Sequence, residues 1–265
     1  MKRLFYLLIC VLPFGACSEY QKVLKSEDVS LKYNMAEELY KEGKYQKALR
    51  LFEQVVPKYR GKPQAERIMY HYANTYYQLK DYYVASYQFD RFVTSYPKSE
   101  KKEEAQFKAA ESYYHLSPRY SLDQEDTDKA VEKLQGYINT YAEEGKHLES
   151  ANKMVIDLRT KKERKAYEIA KQFHHREDYK VAINAFDMYL VDYPGSAFRE
   201  KALYYKLESQ YLLAIGSYDF LVKDRLEQAE EYYRLYKKYY KTEGEHLEDA
   251  NEIAEDIKLR LEKRN

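Results

Sequence analysis

The sequence contains no tryptophan and few cysteine, glycine or proline residues. Its 265 residues include 2 Cys, 8 Gly and 6 Pro. Two cysteines allow one disulfide at most, which is too few for the framework that holds many small exported proteins together, so the fold must depend mainly on packing. Glycine and proline are the residues that most often form turns, and their scarcity indicates that turns are few. The length allows one or two domains.

The charges are nearly balanced. There are 45 Lys and Arg residues against 44 Asp and Glu residues, which gives a formal net charge of +1. Proteins that bind nucleic acid by displacing counterions carry a strong basic excess. The balance therefore argues against a nucleic-acid partner.

Motifs of catalytic and cofactor sites are missing too. The sequence has no Gly-rich phosphate loop, no His-Glu-x-x-His and no Gly-x-Ser-x-Gly. The adjacent His174 and His175 point about 100° apart on a helix and cannot easily share a metal ion. We predict no enzyme activity, no metal site and no cofactor. A pair of carboxylates for glycoside cleavage among the 44 acidic residues is left open.

The first residues have the order of a secretory signal. Lys2 and Arg3 precede the apolar run "LFYLLICVLP", and "FGAC" follows at 14–17. The cysteine after Gly-Ala resembles the lipobox of bacterial lipoproteins, although Phe14 stands where leucine is commoner. The resemblance implies removal of a signal peptide at 1–16, acylation of Cys17, and a lipidated polar tether at 17–28. The alternative is an ordinary signal with an incidental cysteine.

A repeat with a period of 37 residues runs through the rest of the chain. Alanines recur at Ala36, Ala73 and Ala110, and the register resumes at Ala170 and continues at Leu207. Twelve residues after three of these positions comes a second alanine, followed by Phe52, Phe89 or Phe186. Alanines let two amphipathic helices approach closely while large residues fill the groove beside them. The spacing resembles the tetratricopeptide repeat, without its usual tryptophan.

The spacing predicts an all-α solenoid of five helical hairpins with no sheet. The N-terminal repeats 1–3 occupy 29–146. The C-terminal repeats 4 and 5, with a terminal helix, occupy 147–265. A long helix at about 147–175 links repeats 3 and 4. Two related ten-residue segments, "EEGKHLESAN" at 143–152 and "TEGEHLEDAN" at 242–251, indicate that repeats 2–3 and 4–5 are two copies of one unit.

Aromatic residues recur at two positions of the first helix in each hairpin. In tetratricopeptide arrays this helix lines the concave surface, and the resemblance assigns both positions to a groove that would accept extended peptides. Two interpretations are open, groove lining or packing between repeats, because stacked repeats bury a continuous core that can include either face. The candidate groove residues in the N-terminal half are Tyr33, Tyr40, Tyr70, Tyr77, Phe107 and Tyr114.

The combination of a lipoprotein signal, a short tether and five tetratricopeptide-like repeats resembles the BamD family (also called ComL), a subunit of the outer-membrane β-barrel assembly machinery. The resemblance implies a lipid-anchored protein on the periplasmic face of the outer membrane. It also implies that the C-terminal half binds an Omp85-type barrel protein. Unfolded outer-membrane proteins, whose C-terminal signals end in an aromatic residue, would bind the N-terminal repeats.

We expect the partner face on the terminal helix, where Ile253, Ile257 and Leu261 form an apolar stripe. Two other functions stay open. One is a periplasmic scaffold for cell-envelope or cell-division proteins, which would have the same repeats but another partner. The other is an accessory of a cell-wall hydrolase that uses carboxylates in the groove.

Overall fold

The computed structural model describes residues 14–264, and their side chains from Glu19 onward. Within this range the chain forms twelve α-helices, one 3₁₀ turn at Val56–Lys58 and no strand, which confirms the predicted all-α class. None of the helices in residues 14–264 combines the length and the hydropathy that a membrane span requires. The helices are α1 Phe14–Lys25, α2 Val29–Lys41, α3 Tyr45–Val55, α4 Ala65–Gln78, α5 Tyr82–Ser95, α6 Lys102–Leu116, α7 Glu125–Thr140, α8 Leu148–His175, α9 Tyr179–Asp192, α10 Arg199–Ile215, α11 Asp219–Tyr239 and α12 Leu247–Glu262.

Helices α2 to α11 pair in chain order into five hairpins. The alanine anchors are buried, from Ala36 in α2 and Ala48 in α3 to Ala202 in α10 and Ala229 in α11. A methyl side chain lets neighbouring helix backbones approach closely, and the phenylalanines beside the alanines fill the remaining space. The predicted helical hairpins are confirmed. The long helix and the terminal helix are observed as α8 and α12.

The chain divides into two compact units. The first comprises the described residues up to Pro118 together with Asp123–Leu158. The second comprises Arg119–Leu122 and the described residues from Arg159 onward. We predicted the boundary at the start of the long helix, but the division falls inside α8. The first turns of α8 pack in the first unit, where Ala151, Val155 and Leu158 are buried in its core.

The predicted tether at 17–28 is wrong over most of its length. Helix α1 occupies Phe14–Lys25, and its Tyr20 and Val23 are buried in the core of the first hairpin. The Tyr20 hydroxyl donates a hydrogen bond to the backbone carbonyl of Lys47 at 3.3 Å. Tyr20, Val23 and Leu24 have the i, i+3, i+4 spacing of an apolar helix face. The segment is polar on average, so its composition alone does not indicate this face.

The predicted signal peptide lies mostly outside the described residues. Residues 1–13 are not described, and neither is the side chain of Cys17. Acylation of Cys17 therefore stays a prediction.

The two related ten-residue segments form the same closing cluster in each unit. In the first unit, Glu103 Oε1 accepts hydrogen bonds from the Tyr137 hydroxyl at 2.8 Å and from the backbone N–H of Lys146 at 2.5 Å. In the second unit, Glu200 Oε1 accepts from the Tyr236 hydroxyl and, at 2.9 Å, from the backbone N–H of His246. A buried tyrosine and a glutamate thus hold the loop that leads into α8 or α12.

A histidine ring completes each closing cluster. His147 stacks on Phe107 with centroids 4.3 Å apart and planes at 10°, and His246 stacks on Tyr204 at 4.3 Å and 9°. A glycine precedes each histidine by two residues because the backbone passes close to its neighbours. A Cβ atom at Gly145 would lie 2.9 Å from the carbonyl oxygen of Tyr141. The repeated segments therefore serve packing.

Candidate functional site

The first unit contains a pocket of about 840 Å³ on the face formed by the first helices of hairpins 1 to 3. Of the candidate groove residues, Tyr40 and Tyr70 line this pocket, and Tyr33 lines a smaller neighbouring pocket of about 400 Å³. Tyr77, Phe107 and Tyr114 line neither. The large pocket is lined by Tyr40, Lys41, Pro63, Glu66, Arg67, Tyr70, His71, Asn74, Gln78, Phe92, Lys101, Glu104 and Lys108.

A buried carboxylate organises the side of this pocket between α2 and α4. Glu37 accepts hydrogen bonds from Arg67 and from His71, whose Nδ1 lies 2.7 Å from Glu37 Oε1. Burial raises the pKa of Glu37, but the hydrogen bonds and positive charge of His71 and Arg67 outweigh it and lower the pKa overall. The His71 ring stacks on Tyr40 at 4.3 Å and 10°, which sets the orientation of the tyrosine.

Asn74 leaves one hydrogen-bonding group unused. Its Nδ2 donates to the Tyr40 hydroxyl at 2.6 Å, whereas its buried Oδ1 has no partner. A buried acceptor without a partner costs free energy, and turning the side chain toward the pocket would let a bound molecule supply the missing donor. A peptide N–H is a donor of the right kind, and Asn74 lines the pocket where such a peptide would lie.

Cationic side chains outnumber carboxylates in the lining of this pocket. Four Lys or Arg residues line it, against the two carboxylates Glu66 and Glu104. Glu104 accepts from the Tyr70 hydroxyl at 2.5 Å and from Lys101 at 2.8 Å. Burial raises the pKa of Glu104, but those hydrogen bonds lower it overall. An excess of positive charge in a concave site favours an anionic ligand group.

The structure separates the six candidate groove residues into two kinds. Tyr70 and Phe107 are only 8% and 5% exposed. The Tyr70 ring packs edge-on against Phe92 at 5.5 Å, and His147 covers Phe107. For these two rings the geometry supports the packing interpretation, although Tyr70 also lines the pocket. Tyr33, Tyr40, Tyr77 and Tyr114 are half-buried, so part of each ring can meet a ligand.

The expectation of a free apolar stripe on the terminal helix is wrong. Ile257 is 1% exposed in the core of the second unit, and Ile253 and Leu261 pack partly buried against the same core. The apolar side of α12 therefore packs against the last hairpin, most completely at Ile257. A partner cannot bind Ile257 without unfolding this core.

Sequence reasoning missed an exposed apolar stripe on α9. Val181, Met188 and Val191 share one side of this helix and are 46%, 67% and 77% exposed. A seven-residue spacing between Val181 and Met188 places both on one face, and this spacing was available in the sequence. The repeat pattern identifies the residues on the packed side of α9 and gives no information about its outer side.

The polar residues of the pocket were missed as well. Several of its contacts join residues that are 34 positions apart, including Glu37 with His71, Tyr40 with Asn74, and Tyr70 with Glu104. This separation is close to one repeat and so brings equivalent turns of successive first helices together. A search for complementary polar pairs at this separation could have found them. Across residues 14–264, no group of three potential metal ligands converges.

Comparisons with known proteins give a family match and several structural matches. A family model described as YfiO, outer membrane lipoprotein, matches residues 25–220. A search of curated proteins found no match. The solved structures that match include two crystal structures, both of nearly identical TPR-like repeats from a Podosopora anserina protein described as a kinesin light chain, one of them a variant. The variant is 15% identical, with a TM-score of 0.33 over 86% of this chain and 92% of that one. The other is 16% identical, with a TM-score of 0.33 over 91% and 99%.

Proposed function

Because the chain belongs to the YfiO family of outer membrane lipoproteins, the BamD family that its sequence resembles, we propose that it assists the assembly of β-barrel proteins in that membrane. In this proposal Cys17 is acylated, the repeats lie on the periplasmic face, and the chain acts by binding and not by catalysis. The observation that carries the proposal is the match over 25–220, which includes every residue of the pocket in the first unit.

The pocket supports a client that ends in an aromatic residue and a free carboxylate. The half-buried ring of Tyr40 offers contact area, and tyrosine gives such area at little cost in side-chain entropy. After the side chain turns toward the pocket, the unpartnered Oδ1 of Asn74 can accept from the client backbone. The lining cations can attract the terminal carboxylate.

Replacing Lys41 and Lys108 together with alanine is expected to weaken binding of a labelled peptide that ends in phenylalanine by about 3- to 10-fold, because each exposed charge contributes little on its own. Fluorescence anisotropy gives the affinity. Both lysines line the pocket, and the Lys108 ammonium lies 4.2 Å from the centroid of the Tyr77 ring. Loss of that exposed cation–π contact should lower the stability of the variant by no more than about 1 kcal/mol, which thermal unfolding checks.

The same peptide with an amidated C-terminus is the matched control. It should bind the unaltered protein more weakly and should not respond to the double substitution. An equal loss for the free and amidated peptides contradicts carboxylate recognition by this pocket.

For the Omp85-type partner we propose the second unit and, in place of the buried terminal stripe, the outer side of α9. The exposed Val181, Met188 and Val191 form an apolar patch of the kind that marks protein interfaces. Any partner that covers them removes apolar surface from water without disturbing the core.

Purification of the native lipoprotein in a gentle detergent is expected to recover an Omp85-type barrel protein. Met188→Asp combined with Val191→Asp should abolish that recovery, because two carboxylates would be buried without partners. Ile156→Asp is the control, since Ile156 is similarly exposed but lies in the first unit. If the unaltered protein recovers no barrel protein, the assembly function is wrong. Recovery of envelope or cell-division proteins in its place favours the scaffold alternative.

A further inference from the structure

The acceptor cysteine lies close to the folded part of the first unit. Cys17 precedes the buried Tyr20 by three residues, and both lie within α1. Three residues span at most about 11 Å even when fully extended. If Cys17 carries acyl chains, the surface of the bilayer must therefore lie near Tyr20. A long flexible tether between the membrane and the first hairpin is incompatible with this packing.

Two cations of α3 flank Tyr20. The Lys47 ammonium group lies 5.4 Å from the centroid of the tyrosine ring. Arg50 is near enough for its charge to oppose the effect of burial, which raises the pKa of the Tyr20 hydroxyl. Lys47 and Arg50 are both exposed, and neither forms an ion pair with a carboxylate of the described residues.

The acidic residues of this region are placed differently. Glu27 and Asp28 follow the C-terminal end of α1, about 15 Å along the helix from Cys17 at 1.5 Å per residue. Asp28 is occupied as the N-cap of α2, where its carboxylate accepts from the backbone N–H groups of Ser30 and Leu31. Glu19 is the acidic residue of α1 near Cys17. The two positive charges of Lys47 and Arg50 exceed its single negative charge.

We propose that Lys47 and Arg50 contact the phosphate groups of membrane phospholipids, and that this contact holds the first unit against the bilayer. The inference rests on the acylation of Cys17 in the proposed function. Phospholipid headgroups are the occupant because acyl chains on Cys17 would keep the bilayer surface close to Tyr20, where Lys47 and Arg50 lie. The phosphates of these headgroups complement the two cations. Basic residues at an anionic bilayer surface are attracted to it.

The mature chain, residues 17–265, offers a direct test because Cys17 is its only thiol. Coupling that thiol to a maleimide-headgroup lipid in vesicles of phosphatidylcholine and phosphatidylglycerol imitates the acyl anchor. Lysine modification by an N-hydroxysuccinimide ester, read by mass spectrometry, then reports which lysines the bilayer covers. Lys47 is expected to react about fivefold more slowly on vesicles than in free protein. Lys98, exposed in the turn after α5, is the control and should not change.

An unchanged rate at Lys47 on vesicles overturns the proposal. So does protection of Lys47 in native membranes but not on vesicles, because a protein would then be the occupant. Protection that persists with Arg50→Ala and in high salt also contradicts it, since a headgroup contact must weaken when charge is removed or screened. Mass spectrometry of the native protein, which shows whether Cys17 is acylated, tests the proposed function separately.

Discussion

Replacing Phe89 with alanine will lower the free energy of unfolding by about 3–5 kcal/mol, the range for truncating a buried phenylalanine. Phe89 has no exposed surface, and its ring lies 5.9 Å from Tyr70 and 6.5 Å from Tyr77. Close packing by helices α4 and α5 prevents the site from collapsing around the missing ring, so a cavity adds to the lost transfer free energy. Urea unfolding followed by circular dichroism measures the change.

Tyr87→Ala is the matched control for this substitution. Tyr87 lies on the same helix two residues earlier and is 59% exposed. Its truncation should change the free energy of unfolding by less than about 0.5 kcal/mol, as is usual for surface substitutions. Similar losses for the two variants would contradict the assignment of Phe89 to the core and of Tyr87 to the surface.

Glu200→Ala is expected to destabilise the second unit by about 2–4 kcal/mol. The substitution leaves two donors without an acceptor, the buried Tyr236 hydroxyl and the backbone N–H of His246, and each unsatisfied buried donor costs about 1–3 kcal/mol. Burial and the neighbouring Glu200 raise the pKa of Tyr236, so its hydroxyl stays protonated and needs the acceptor. Amide hydrogen exchange at His246 should accelerate together with the loss of stability.

Glu200→Gln separates hydrogen bonding from charge. The amide oxygen can still accept both bonds, so we expect this variant to retain more stability than Glu200→Ala. Glu227→Ala, at an exposed position of α11, controls for the loss of a glutamate in the same unit. If Glu200→Ala is no more harmful than Glu227→Ala, the closing cluster does not stabilise the loop.

The repeats were predictable because they depend on local spacing. Alanines at intervals of 37 residues and the phenylalanines that follow them specify helical hairpins whatever the neighbours are, and α8 begins and ends within one residue of the long helix predicted at about 147–175. The tether was misjudged because Tyr20, Val23 and Leu24 are scattered among polar residues. Only the presence of α3 beside them turns those three side chains into a buried face.

The candidate groove was only partly predictable because burial depends on distant residues. Phe107 and Tyr40 are both aromatic residues on first helices, yet His147 and other neighbours bury Phe107 while Tyr40 stays open to the pocket. Helical periodicity identifies the face on which a ring lies. It does not show whether a loop forty residues later in the chain will cover that ring. The same limit applies to Ile257, whose apolar stripe suits an interface and a core equally well.

The closing cluster has a consequence for interpreting duplicated sequences. The two copies keep the tyrosine, the glutamate and the histidine that hold the loop, because each copy has to close its own hydrophobic core. Positions outside the cluster differ between the copies: Asn74, which donates to Tyr40 in the first unit, is matched 97 residues later by Lys171, whose ammonium lies over the Tyr205 ring. In a duplicated chain, residues that are identical in both copies are those that each copy needs in order to fold. The differences show where each copy was free to acquire its own ligand.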